Sequence, residues 1–255
     1  MSENTVLLHK KNNIATLILN RPEIMNAMNA QMMRELKDTV EQIAGDDEIR
    51  VVIIKGAGDN FSSGADMALL GEHPSPPLIR NAMMSVGLII QGIRAMPQPV
   101  ISVLRGVAVG AGANLVLTGD FVIAADDARF CEIFIHIGAI MDFGGFYFLP
   151  RLVGLAKAKE LAMLGKEIDG KTAASMGLIY KSIPNEKLDE AVESLANNLL
   201  QKPKVALALM KEGLEGSYNR SLKEILDWEA ANQSIALQAP EHKEIIRSFL
   251  ESKKA

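Results

Sequence analysis

The sequence predicts an α/β fold with a largely parallel sheet, followed by a helix-rich C-terminal third. Short apolar runs at residues 51–55, 100–104 and 121–125 have the length and continuity of strands buried on both faces. Helically spaced apolar residues fill the intervals between them. The order strand, helix, strand, loop, helix, strand favours parallel pairing. From about residue 157 onward the patterns are almost all helical.

Residues 6–9 and 14–20 read as two strands joined by the polar turn 10–13. Residues 30–44 place Met32, Met33, Leu36, Val40 and Ile43 at helical spacing, and Gly45 marks the stop. Strand 51–55 follows, then a turn-rich loop at 56–64. Pro74, Pro76 and Pro77 mark a break before a helix at 79–96, which Pro97 and Pro99 end. After strand 100–104, residues 106–112 read as a small-residue loop and 113–119 as the helix it opens, with strand 121–125 beyond. Helical patterns then occupy 155–164, 170–176, 188–201, 205–213, 221–237 and 240–254.

A chain of 255 residues with 48% apolar content can bury one large core, alone or with a small appended domain. Charged residues make up 23% and the net charge is -4, so no basic excess points to nucleic acid. The single cysteine, Cys131, excludes an intrachain disulfide, argues against a cysteine-based metal site and fits a reducing compartment. Residues 1–11 hold no apolar signal core, and no apolar run reaches membrane length. The expectation is a soluble, cytoplasmic protein with no membrane or nucleic-acid partner. Cys131 reads as a small buried residue, and Met25, Met28, Met32 and Met33 as core and pocket lining rather than a metal box.

Two loops carry the chemical signal: Phe61-Ser62-Ser63-Gly64-Ala65-Asp66 and the stretch from Gly106 through Gly110, Ala111 and Gly112 to Asn114. Each follows a buried strand and leads toward a helical segment. In parallel sheets, ligands collect at the carboxyl ends of strands. A loop entering a helix offers free N–H groups and the positive end of the helix dipole. Taken singly, each loop reads equally as a tight turn. The second does not fit the dinucleotide pattern Gly-x-Gly-x-x-Gly, because Leu115 stands at its third glycine.

Together with other blocks, the loops resemble the crotonase superfamily, the enoyl-CoA hydratases and isomerases. Asn20-Arg21-Pro22-Glu23-Ile24-Met25-Asn26-Ala27-Met28 is similar to that family's Asn-Arg-Pro-x-x-x-Asn-Ala-Leu, and residues 61–66 to its Phe-x-x-Gly-Ala-Asp. Residues 106–115, 120–124 with Phe130, 142–154 and 173–178 are similar to later blocks in the same order. The resemblance implies a ββα spiral core over 1–195 holding the CoA and acyl site. A helical region over 196–255 would make trimers, often paired into hexamers. It implies an acyl-CoA thioester substrate, with no cofactor beyond the coenzyme A that the substrate carries. The backbone N–H groups of Ala65 and Ala111 would form an oxyanion hole. Met25, Asn26, Ala27, Ser63, Gly64, Asp66, Met67, Gly110, Asn114 and Phe134 would line the CoA and substrate site. Position 111 is usually glycine in the family; alanine keeps the donor, and its methyl narrows the space nearby.

Hydratases of the family use two glutamates, which align with Asn114 and Phe134. Neither residue exchanges a proton as a carboxylate does, and adding water needs both a base and an acid. Asp142 stands where family isomerases carry an aspartate in Pro-Asp-x-Gly-Gly, with Met141 replacing the proline. The resemblance makes it a proton shuttle; the other reading is a cap for a helix starting near Phe143. Ile133, Phe134, Ile135 and Ile140 would keep the pocket dry, which raises a carboxylate's pKa.

The residues therefore favour an enoyl-CoA isomerase, with a hydratase using unusual residues or a non-catalytic acyl-CoA binder as alternatives. Glu132 ranks second to Asp142; on a strand it points the same way as Phe134. His136 reads as an edge-packing residue and Asp66 as more structural than chemical. Lys243, Arg247, Lys253 and Lys254 read as a solvated face, with CoA phosphates of a neighbouring subunit as the alternative. Residues 71–79 and 83–90 would shape the acyl pocket.

Overall fold

The computed structural model describes residues 4–68 and 74–253. The polar turn at 10–13 closes β1 (Val6–Lys11) onto β2 (Ile14–Leu19), the antiparallel pair at the sheet edge. Parallel partners follow: β3 (Val51–Gly56), β4 (Val100–Leu104), β6 (Phe121–Ala125) and β9 (Lys181–Ile183) complete a six-stranded sheet in the order β1-β2-β3-β4-β6-β9. A second sheet, β5-β7-β8, is made of β5 (Val107–Val109), β7 (Arg129–Cys131) and β8 (Glu167–Asp169). The chain passes from one sheet to the other between β4 and β5, and again between β6 and β7. This is the expected ββα spiral.

Helix α1 (Ala30–Ala44) begins where the Asn29 side chain accepts a hydrogen bond from Met32 N at 2.8 Å. Its inner face buries Met32, Leu36, Val40 and Ile43. Each such side chain contributes about 1.5–3 kcal/mol. Helix α2 (Pro76–Ala95) starts three residues before the expected 79. Pro76 and Pro77, read as a break, form its first turn, where the amide a proline lacks has no helical acceptor. Helix α3 (Ala111–Val116) likewise starts earlier than 113, and β5 occupies part of the expected loop, a strand too short to leave a period. Helix α4 (Gly145–Leu164) is interrupted at Gly154, whose φ of 74° is not helical; its second half is the expected 155–164 helix.

Helix α5 (Gly170–Ser175) precedes β9, and α6 (Leu188–Leu200) follows it. The division expected after residue 195 falls inside α6, which buries Leu188, Val192, Ala196 and Leu199 against the core. The change in character comes later. Helices α7 (Lys204–Gly216), α8 (Leu222–Gln238) and α9 (Pro240–Ser252) bury no residue within the chain. Met210, Leu214, Leu226, Ile245, Phe249 and Leu250 stand exposed on them. Among the described residues, no helix is long and apolar enough to cross a membrane.

A partly buried charge cluster ties α7 to the core. Asp120 accepts from Lys211 Nζ at 2.8 Å and from Val100 N at 2.7 Å, and it lies 3.5 Å from Arg94 Nη1. Arg94 also pairs with Glu215 and donates to Thr118 O at 2.9 Å. Lys211 donates to Gln98 O at 2.9 Å.

Candidate active site

The first wall of the site is the 20–28 segment joined to the 61–66 loop. Met25 and Asn26 have φ of 53° and 54°, left-handed values that non-glycine residues adopt at a cost of order 1–3 kcal/mol. Backbone bonds hold them there. Asn26 N donates to Arg21 O at 2.8 Å, and Ser63 N to Met25 O at 2.8 Å. Met28 N donates to Gly64 O, and Asp66 N to Met28 O. The Asn26 side chain, fully buried, accepts from Arg21 N and donates to Ala57 O and Asn60 O. Its amide thus braces the loop from within. Asp66 accepts from Arg21 Nη1 at 2.7 Å and from Ala68 N. The Arg21 hydrogen bond holds the Asp66 carboxyl below its ordinary pKa. Met25, Ala65 and Met67 are exposed along this wall, with Ser63 half-buried.

The second wall is the stretch from β5 into α3. Ser62 N donates to Val107 O and Val109 N to Ser62 O, both at 3.0 Å, so the two loops run side by side. Gly64, at φ 94°, lets them close. A methyl there would sit 2.6 Å from Val109 O and 3.5 Å from Ala111 N. Ala111 is the first residue of α3, and Gly110 before it has φ 55°. Among the described residues, neither the Ala65 nor the Ala111 amide donates to an acceptor. Two unpaired amides therefore lie on adjoining loops, one at the positive end of a short helix.

The third wall carries the acids. Gly110 N donates to Cys131 O at 2.9 Å, which joins the end of β7 to the second loop. Beyond it the chain forms a 3-10 turn, Ile133–Ile137, instead of the expected strand. The two-residue alternation that aligned Glu132 with Phe134 therefore does not apply. The Ile133 and Phe134 side chains reach Gly110. Glu132 is completely buried, and its Oε2 accepts from Asn114 Nδ2 at 3.2 Å. Burial, with a smaller contribution from the charge of Asp142, pushes the Glu132 carboxyl up to about 8, against the lowering effect of Asn114.

Asp142 does not cap a helix: α4 begins at Gly145, and its N-cap, Gly144, has no side-chain bond. The Asp142 side chain is half-buried, and burial raises it to about 6. Asn114 abuts Gly145, where a methyl would sit 2.6 Å from its Nδ2. Asn114 Oδ1, Glu132 Oε1 and Asp142 Oδ1 are all buried without a hydrogen-bond partner.

The apolar lining is partly as expected. Phe134 is buried, but Ile135 is 49% and Ile140 77% exposed, because the 3-10 turn and the loop after it face outward. Within the single chain these two do not dry the pocket. His136 lies with Nε2 3.2 Å from Gly165 O, and the Cys131 thiol donates to the same carbonyl at 3.4 Å. Ala27 is buried. Residues 71–73 of the expected acyl-pocket loop, and Lys254, lie outside the described residues; Leu78, Ile79, Met83, Met84 and Leu88 of α2 are exposed. The sequence ranking of Glu132 below Asp142 assumed a strand orientation that the 3-10 turn does not give it. The available signal was a lone acid inside the apolar run Phe130-Cys131-Glu132-Ile133-Phe134.

The site thus combines a mixed α/β spiral, two unpaired amides on adjoining loops, and the carboxyl groups of Glu132 and Asp142. The profile of the enoyl-CoA hydratase/isomerase family matches residues 9–255, and the chain belongs to that family. It is 34% identical over 248 residues to the 1,2-epoxyphenylacetyl-CoA isomerase of Escherichia coli K12, covering 96% of this chain and 95% of that one. It is 32% identical over 256 residues to the crotonyl-CoA hydratase of Syntrophomonas wolfei, covering 100% and 98%. The structure of an enoyl-CoA hydratase from Mycobacterium smegmatis superposes with a TM-score of 0.93 at 26% identity, covering 98% and 97%.

Proposed function

We propose that the chain is an enoyl-CoA isomerase that moves a double bond of an acyl-CoA thioester through a dienolate. One observation carries this reading. Asp142, a partly buried carboxyl with an unpartnered oxygen, groups with Glu132 and with Asn114 of the helix that Ala111 opens, while the hydratase glutamate positions hold Asn114 and Phe134. The CoA moiety lies along Met25, Ala27, Ser63, Gly64 and Met67, with the thioester oxygen toward the two amides.

The Asp142 carboxylate removes a proton from the α-carbon, and the C–H electrons delocalise onto the thioester oxygen. Each amide aimed at that oxygen contributes about 2.7–4 kcal/mol to the transition state. The double bond re-forms between the α- and β-carbons as a proton is added at the γ-carbon, so the reaction is redox-neutral. A pKa near 6 leaves Asp142 ionised at neutral pH yet basic enough for a carbon acid.

Turnover of a 3-enoyl-CoA by wild type and Asp142→Asn tests the reading. The variant is expected to lose about 10²–10⁴-fold in kcat while still binding a saturated acyl-CoA. Full activity in the variant removes the proposal.

A hydratase is the second reading, favoured by the presence of two carboxyls, Glu132 and Asp142, in one site. Background rates of water addition to a 2-enoyl-CoA exclude it. Binding without turnover across a panel of acyl-CoAs instead makes the chain a binder. Self-association to a trimer or hexamer through the exposed apolar faces of α7–α9 completes the proposal, and light scattering of the purified protein reads the state directly.

A further inference from the structure

We propose that Glu132 is a second proton carrier in this site, delivering to the γ-carbon while Asp142 removes the proton at the α-carbon. The proposal rests on the isomerisation reading of Asp142 and assigns a residue at neither of the two hydratase glutamate positions.

Three observations support it. Glu132 is fully buried, yet its only hydrogen bond comes from a neutral amide, Asn114, and no cation pairs with it among the described residues. A carboxyl so placed stays neutral unless a proton leaves it for a nearby acceptor. Second, three buried oxygens lack donors: Oε1 of Glu132, Oδ1 of Asn114 and Oδ1 of Asp142. A proton on either carboxyl supplies a donor, so the group is built to hold at least one. Third, the bond from Gly110 N to Cys131 O sets Glu132 one residue from the loop that presents the Ala111 amide. Glu132 thus follows β7 next to that loop, and Asp142 stands on the segment before α4. Asp142 bears on Glu132 electrostatically, and burial keeps the adjacent Cys131 thiol protonated. Arg129 and Glu167, beyond Cys131, pair with each other at the surface.

The step balances without another reactant. Asp142 takes the α-proton and becomes neutral as the dienolate forms. Neutral Glu132 gives its proton to the γ-carbon, the new C–H bond forms, and Glu132 becomes a carboxylate. Asp142 then passes its proton to Glu132, which restores both groups.

The test is a single turnover of a 3-enoyl-CoA dideuterated at the α-carbon, in ordinary water, with wild type and Glu132→Gln. Glutamine keeps an acceptor for Asn114 but carries no exchangeable acid. Wild-type product is expected to hold hydrogen, not deuterium, at the γ-carbon, because that proton comes from Glu132. Glu132→Gln is expected to turn over at least ten-fold more slowly with little change in KM. Its residual product should carry deuterium at the γ-carbon, moved by Asp142 alone.

Direct α-to-γ deuterium transfer in the wild type overturns the role of Glu132, and this result needs no variant to fold. A Glu132→Gln enzyme with wild-type rate and labelling overturns it equally. Isomerisation with direct transfer leaves the Asp142 mechanism standing, whereas no isomerisation by the wild type removes both.

Discussion

Two polar clusters lie partly or wholly inside the molecule, and their difference separates a staple from the proposed site. Around Asp120, charges of opposite sign meet: Lys211 and Arg94 surround one carboxylate, Glu215 balances Arg94, and backbone groups take up further bonds. Around Asp142, two acids and an amide meet no cation among the described residues, and each keeps an oxygen without a partner there. Satisfied charges hold α7 to the core. The acids of the proposed site keep unsatisfied oxygens, and burial moves their pKa values toward the range where proton transfer is useful.

If Asp120 belongs to a staple, Asp120→Asn should cost stability and leave chemistry alone. Removing one partner of a fully buried pair typically costs about 3–5 kcal/mol, and this partly buried one should cost less. Urea denaturation should show that loss, while kcat per folded molecule stays at the wild-type value. A fall in kcat without loss of stability would erase the distinction between the clusters.

Ala111→Pro probes the other side. Proline is tolerated at the first position of a helix, so α3 should form, but the free amide disappears. The expected loss is about 10²–10³-fold in kcat with little change in melting temperature. Equal activity would place the oxyanion elsewhere.

Glu132→Gln should act on stability with the opposite sign from Asp120→Asn. The folded protein raises the Glu132 pKa from 4.5 to about 8, so the native state holds that proton more tightly than the unfolded chain. Below about pH 4.5 both states are protonated and nothing is lost. Between about pH 4.5 and 8 the unfolded chain loses a proton that the native state keeps, so native stability falls across that range and the loss is complete above it. The glutamine variant escapes that loss, so it should be more stable than wild type by roughly 1–4 kcal/mol above pH 8, with the gain fading toward pH 4. Thermal melts at both pH values check this, and an unchanged difference between them would contradict the burial of the acid.

The smallest effect concerns the pH–rate profile. Activity should rise through about pH 6 as Asp142 ionises and fall through about 8 as Glu132 loses its proton. The upper limb should vanish in Glu132→Gln, and its persistence there would assign it to another group.

The clusters also differ in how readable they were. Both glycine-rich loops were legible because they depend on backbone constraints that few residue types meet: φ of 94° at Gly64, φ of 55° at Gly110, and an asparagine at 26 with bonds to three backbone groups. Asp142 stood out because a carboxylate interrupts a glycine-rich run. The orientation expected for Glu132 was not legible, because it depended on a strand that ends at Cys131, and a 3-10 turn obeys no two-residue alternation. Strands β5, β8 and β9 are each three residues long, too short to leave a period, and they are held by their neighbours. The Asp120 staple joins residues more than ninety positions apart, including Lys211, and no local pattern announces it.

The most direct measurement is a crystal structure of the protein with a bound, unreactive acyl-CoA. The thioester oxygen should lie about 2.7–3.1 Å from both Ala65 N and Ala111 N, with the Asp142 carboxylate nearest the α-carbon. A thioester seated away from either amide, or a carboxylate other than Asp142 closest to that carbon, would contradict the account.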